Sequence, residues 1–253
     1  MGTVENRIMQ NFLLPPVHPA ARRRALRHPT TLLVWHDFVT HNKLVWFDTT
    51  VGEFEAQLAR FGRAGAHPVS LDAVYSYLAT GTPVPPPGAV VLCFDDNTRG
   101  IYDFAFPRLA RRGWPFVVSA HTAYVGVRTS KQHNTWEQLQ EMERGGARVV
   151  SQTHTHPPDL RVFRDALLAR EMNTAKAIMD RQLGRPTRFV TYPSGKWDQR
   201  VALAAARAGY LLGLTEDYGA AETSPHLLGL HRFSTHRRLE EGLRSIARSA
   251  GTA

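Results

Sequence analysis

The stretch "AVVLCFDDN" (89–97) decides the fold. Six apolar residues run without a polar break and end abruptly in two aspartates and an asparagine. The run is short and rich in β-branched residues. An uninterrupted apolar strand of this kind is buried on both faces, as in a parallel sheet covered by helices. A helical stretch follows, "IYDFAFPRLARRG" (101–113), which Pro107 is expected to interrupt. The same alternation continues outward in both directions. Strand-like runs stand at "TTLLVWHDFV" (30–39), "PFVVSA" (115–120), "ARVVSQ" (147–152), "RFVTYPSG" (188–195), "YLLGLTE" (210–216) and "HLLGLHRFST" (226–235). Helical periodicity fills the gaps, as in "VGEFEAQLARFGRAG" (51–65), and Ser70 is placed to cap the helix after "HPV". Strands alternating with helices predict an α/β fold with a mostly parallel sheet, open or closed into a barrel.

One main domain is expected over residues 30–253, preceded by an N-terminal arm at 1–29, where four prolines argue against any helix and "ARRRALRH" favours solvent. The proline-rich "GTPVPPPG" (81–88) is a connector, because a strand follows at once. The 253 residues carry a formal charge of +9, and all but four of the 31 basic residues are arginines. Such a surface attracts anions. The arginines come with no zinc-finger spacing and no RNA-binding aromatic motif, so no nucleic-acid partner is expected. A single cysteine, Cys93, excludes an internal disulfide. No segment approaches the roughly 20 apolar residues of a transmembrane helix, and the start of the chain does not read as a signal peptide. A cytoplasmic location is the expectation.

In parallel α/β architectures, sites form at the C-terminal ends of strands. His36, Asp95 with Asp96, His154 with His156, and the "TYPSG" turn (191–195) all fall there. Adjacent carboxylates in an enclosed place repel unless a cation relieves them; the same residue types also form solvated turns. In "SQTHTH" (151–156), residues two apart face one side of an extended chain. Gln152, His154 and His156 then project together, and a carboxylate from Asp96 would complete a facial metal site suited to Zn²⁺.

In order along the chain, "TLLVWHDFVT", "PPPGAVVLCFDDN", "GARVVSQTHTHPPDL" and "RFVTYPSGKWD" resemble the polysaccharide deacetylase family, the NodB-homology group of carbohydrate esterase family 4. The resemblance spans residues 30 to 245 or so. It implies a distorted (β/α) barrel and a metal-dependent hydrolase that removes an N-acetyl or O-acetyl group from a sugar or glycan. A small sugar or acylamide is the expected substrate if the protein is cytoplasmic. By motif, Asp95 is the catalytic base and Asp96 a metal ligand. His156 is the second metal histidine, and Gln152 stands where the first belongs. Gln152 could ligate weakly, His154 could replace it, or the site could be empty. The implied ion is Zn²⁺, with Co²⁺ or Ni²⁺ as substitutes. His36, Asn97, Tyr192, Pro193 and Ser194 are assigned to the substrate, with the Ser194 N–H as an oxyanion donor. His231 is taken as the general acid, with His236 nearby. Two other readings remain: a non-catalytic sugar- or metabolite-binding relative with a degraded metal site, and a hydrolase of cyclic amides or ureides.

Overall fold

The computed structural model describes residues 14–252. Ten strands are present: β1 (Thr31–Trp35), β2 (Phe38–Val39), β3 (Thr49–Thr50), β4 (His67–Pro68), β5 (Ala89–Phe94), β6 (Phe116–Ala120), β7 (Ala147–Ser151), β8 (Phe189–Thr191), β9 (Leu212–Leu214) and β10 (Phe233–Ser234). Eight of them form one sheet in the order β10-β1-β5-β6-β7-β8-β9, with β4 also on β5, and every pairing is parallel. The sheet curls into a half-barrel, which is the expected distorted (β/α) barrel. One edge of β5 is shared: β4 pairs with Ala89 and Val90, and β6 with Cys93 and Phe94. β2 and β3 make a separate two-stranded ribbon.

The apolar run works as read. All six residues of β5 and all five of β1 are buried. Their alternation divides the core between two faces. Leu33, Trp35, Leu92 and Phe94 pack with α2 (Val51–Arg63) and α8 (Thr235–Ala250), whereas Leu32, Val34, Val91 and Cys93 pack with α3 (Leu71–Thr80). Trp35 stacks on Phe94 at 5.4 Å and satisfies its indole N–H on Gln57 Oε1 at 2.7 Å. A capping box of Thr50 and Glu53 starts α2, and the Ser70 hydroxyl caps α3 as expected. The stretch 101–113 does break: a π-helical turn, Ile101–Ala105, meets α4 (Phe106–Ala110) just before Pro107. The expected last strand shortens to Phe233–Ser234, with a single parallel bridge from Leu230 to Leu214 before it. The remaining helices are α5 (Trp136–Arg144), α6 (Asp165–Leu183) and α7 (Gln199–Arg207). No helix of the described residues is long and apolar enough to cross a membrane.

The part of the expected arm that is described lies on the domain. Leu14, Val17 and Ala21 are buried, and a short helix, α1 (Pro19–Arg24), forms there. Its proline does not prevent it, because the first turn has no intrahelical use for the missing N–H. Residues 1–13 of that expectation lie outside the described residues.

Gly100 stands where a β-carbon would fall 2.2 Å from the Phe38 carbonyl oxygen and 2.5 Å from Asp37 Oδ1. Gly62, within α2, has nothing within 4 Å of that position. In urea unfolding, Gly100→Ala is expected to lose about 1–3 kcal/mol to overpacking. Gly62→Ala is expected to gain roughly 0.5–1 kcal/mol from helix propensity.

Candidate functional site

The C-terminal ends of the strands share one rim, and backbone strain gathers there. Among the described residues, the non-glycine positions with positive φ are Asp96, Asn97, Thr153, His156 and Ser194, all just beyond β5, β7 or β8. Such conformations persist where the surroundings hold them. The left-handed turn at Asp96 and Asn97 gives the two adjacent aspartates different surroundings.

Asp95 is 2% exposed. The buried Arg232 donates to both its oxygens, Nη1 to Oδ1 at 3.0 Å and Nη2 to Oδ2 at 2.8 Å. The Ser119 hydroxyl donates to Oδ1 at 2.8 Å and lies 2.8 Å from Thr191 Oγ1, which must therefore donate to it. A carboxylate has about four lone-pair positions. Three are taken, and the open one is on Oδ2. Arg232 is itself fixed by its Nε bond to the Thr215 carbonyl at 2.7 Å.

Asp96 meets a different set. One donor atom each from Asp96, His121 and His156 lies within 4.8 Å of the others. His156 Nε2 is 3.4 Å from Asp96 Oδ1, and the rings of His121 and His156 are 5.0 Å apart. Burial works to raise the Asp96 pKa, but the His156 hydrogen bond and the charges of His36, His156 and His121 outweigh it and hold it low. His121 is 5% exposed, and burial, with the His156 charge, lowers its pKa to about 4. It is thus neutral at pH 7, the form that ligates metal. Its Nδ1 is buried with no hydrogen-bond partner among the described residues. Two imidazoles and a carboxylate, one ring with an orphaned nitrogen, fit a divalent ion such as Zn²⁺.

Gln152 is not one of these ligands. The backbone N–H of Asp96 can only donate, so the Gln152 oxygen must face it, at 2.9 Å. The amide nitrogen then points to Asp96 Oδ1 at 2.9 Å and His156 Nε2 at 3.2 Å. An amide nitrogen has no lone pair to offer a metal, so the expectation of Gln152 as a ligand is corrected. His154 is not the replacement either. Its Nδ1 bonds Thr122 Oγ1 at 2.8 Å, and its backbone N–H is held by the buried Glu171 of α6 at 3.0 Å. The histidine that does stand with Asp96 and His156 is His121, from the end of β6.

His36 lies on the far side of Asp96. Its Nε2 is 3.5 Å from Glu216 Oε1, while Nδ1 is buried with no hydrogen-bond partner among the described residues. Burial works to lower the His36 pKa, but the Glu216 hydrogen bond and the charges of Asp96 and Asp95 raise it overall. In turn, the His36 hydrogen bond lowers Glu216 to about 2. A groove of about 350 Å³ joins these parts, lined by His36, Phe47, Asp96, His121, Lys131 and His156 among others. Lys131 ties its walls together through Asp37, at 2.9 Å, and Asp48.

Several expected site residues lie elsewhere. His231 bonds Thr223 Oγ1 at 3.1 Å and does not line the groove; its neighbour Arg232 is the one that turns to Asp95. Asn97 is fully buried, and its side chain is paired with Asn134 rather than open to substrate. Tyr192 is buried too, with its hydroxyl on the Leu228 carbonyl at 2.9 Å, and Pro193 is buried beside it. Ser194 is exposed and does not line the groove. The turn instead backs Glu216: a β-carbon on Gly195 would lie 2.4 Å from Glu216 Cβ.

His121, Arg232 and Glu216 were not singled out from the sequence. His121 directly follows the predicted strand at 115–120, and Glu216 and Arg232 fall inside the predicted runs at 210–216 and 226–235, but none belongs to a spaced motif.

Known proteins resemble this chain in both sequence and shape. The Polysaccharide deacetylase family profile matches residues 83–213. YxkH of Bacillus subtilis (strain 168), named for polysaccharide deacetylase, is 27% identical over 201 residues, covering 79% of this chain and 69% of its own. Among solved structures, Streptococcus pyogenes deacetylase PplD, in complex with acetate, superposes with a TM-score of 0.77 at 26% identity, covering 86% of this chain and 98% of that one. IcaB from Ammonifex degensii has the same fold, with a TM-score of 0.76 at 22% identity over 87% of this chain and 97% of its own. With half of its length matched by the family profile and the rim chemistry in place, the chain belongs to the polysaccharide deacetylase family, whose members are hydrolases of carbon–nitrogen bonds.

Proposed function

We propose that this protein removes the acetyl group from an N-acetylated amino sugar in a metal-dependent hydrolysis. The observation that carries this reading is the clamped carboxylate of Asp95 directly beside Asp96, which with His121 and His156 forms the set that lines the groove. A divalent ion held by those three would supply Lewis acidity to an acyl carbonyl and acidify a water. Asp95 takes the proton from the attacking water on its open Oδ2 position, held in place by Arg232 and Ser119. His36, which lines the groove with Glu216 behind it, gives a proton to the leaving nitrogen. The acetate bound to PplD is in keeping with an acetyl product. An intact base and ligand set favours hydrolysis over the non-catalytic relative, and the groove has room beyond a cyclic amide.

Acetate release from N-acetylglucosamine oligomers tests the base. Asp95→Asn is expected to slow it about 10²–10⁴-fold. The ligand set is tested without turnover, by titrating Zn²⁺ into the chelator-treated protein in a calorimeter. Asp96→Ala and His121→Ala are expected to lose binding and His154→Ala to keep it. Binding lost with His154 and kept without His121 would return the site to the sequence motif. The rate is expected to fall as pH rises through the raised His36 pKa, because the acid loses its proton. Glu216→Gln removes the first of the groups that raise it, so this limb of the pH profile should move to lower pH. A purely structural Glu216 would lower the rate at every pH and leave the limb in place.

A further inference from the structure

The buried face of α6 carries Leu168, Met172, Ala175 and Met179, and with them one acid, Glu171, 6% exposed. A carboxylate taken out of water needs its lone pairs filled. Here the hydrogen bonds all go to the turn after β7. Glu171 Oε2 accepts from the backbone N–H groups of His154 at 3.0 Å and Thr155 at 2.8 Å, and Oε1 accepts from the Thr155 hydroxyl at 2.8 Å. On either side of this pair the backbone is left-handed, with φ of 65° at Thr153 and 52° at His156. Such a conformation persists only where its surroundings hold it, and Glu171 grips the two residues between the strained ones. The gripped turn is joined in addition to the end of β6. The carbonyls of Thr153 and His154 accept from the N–H groups of Thr122 at 3.3 Å and Ala123 at 2.9 Å, and Thr122 Oγ1 lies 2.8 Å from His154 Nδ1. His121 directly precedes this seam, and His156 directly follows the gripped pair. α6 packs against both β7 and the turn at 122–124.

Two histidines on one turn have their separation set by that turn. In this chain position 152 is a glutamine, and the two histidines of the cluster come from different strand ends. Their separation, 5.0 Å between rings, depends instead on how the two turns are joined. We propose that Glu171 is the positioning residue that sets this separation, and with it the affinity of Asp96, His121 and His156 for a divalent ion. Glu171 acts through the main chain of the joined turns, so the effect does not need the His154 ring. The inference rests on the metal reading of the cluster and not on the identity of the substrate. Reach is what matters, and not charge. A glutamine can turn its oxygen to the two N–H groups and its NH₂ to the Thr155 hydroxyl, which also accepts. An aspartate keeps the charge and falls one methylene short.

The test is calorimetric titration of Zn²⁺ into chelator-treated wild type, Glu171→Gln, Glu171→Asp and Glu171→Ala. Urea unfolding of each metal-free protein and acetate release from N-acetylglucosamine oligomers are followed in parallel. Groups that orient metal ligands are worth about 10–100-fold in affinity. Glu171→Ala is expected to weaken Zn²⁺ binding by about that factor and Glu171→Asp by roughly several-fold, while Glu171→Gln stays within about twofold of wild type. If Glu171→Ala does not fold, the order of glutamine and aspartate decides. An affinity for Zn²⁺ unchanged in every folded variant, with only the urea midpoint lowered, would make Glu171 a purely structural residue and overturn the proposal. So would aspartate holding the ion better than glutamine, the mark of a charge acting on the site. Wild type that takes up no Zn²⁺ sinks the metal reading and this inference with it. Zn²⁺ binding that depends on Glu171, with no acetate released, keeps the positioning role and sinks the deacetylase reading. Acetate released by wild type, with Zn²⁺ bound alike in all variants, does the reverse.

Discussion

The buried ion pair of Arg232 and Asp95 is the contact on which the rest of the rim depends. It joins residues 137 apart in sequence and lies at the seam where β10 and β5 flank β1. Taking two charges out of water is costly, and the cost is recovered only when every polar atom of the pair is satisfied. Here a bidentate guanidinium, the Ser119 hydroxyl and the Thr215 carbonyl provide that satisfaction. Losing one partner would strand the other charge, a penalty of roughly 3–5 kcal/mol. The same atoms therefore hold the end of the sheet together and fix the direction of the Asp95 carboxylate.

Two adjacent aspartates can serve one site because they answer to different partners. Asp95 is balanced by a permanent cation that cannot leave. Asp96 is balanced by histidines whose charge depends on conditions. The left-handed turn at Asp96 is what separates the two environments. On the other side of the groove, Glu216 performs a similar service for His36, and the close approach of Gly195 keeps Glu216 from retreating.

Much of this was legible in the residues. "AVVLCFDDN" read correctly as a doubly buried strand because continuous apolar burial leaves few other options. The strand-end rule then pointed to the rim on which Asp95, Asp96, His156 and His36 lie together. What escaped detection did so for local reasons. His121 is a lone histidine after "VVSA", with no spacing to mark it; only the curl of the sheet brings it to His156. His231, expected as the general acid, turns to Thr223 while its neighbour Arg232 turns to Asp95, because in an extended segment one position reverses the direction of the side chain. Tyr192 and Asn97 are polar residues in motif-like turns, but their hydrogen-bonding groups are used up by Leu228 and Asn134 inside the core. Pro19 misled because proline ends helices in their interior and begins them at the first turn.

The Gln152 amide gives the cluster a hydrogen-bonded state of its own. With its oxygen on the Asp96 backbone, its NH₂ group satisfies the carboxylate and the imidazole together. In many metalloproteins an empty site is a cluster of desolvated lone pairs, and the ion is then needed for the chain to hold its shape. Here two of the three ligand side chains already have a donor between them when no ion is bound. The polar atoms at this end of the sheet are therefore partly satisfied from within the chain, and the shape of the rim rests on the Gln152 amide as well as on the packing beneath it.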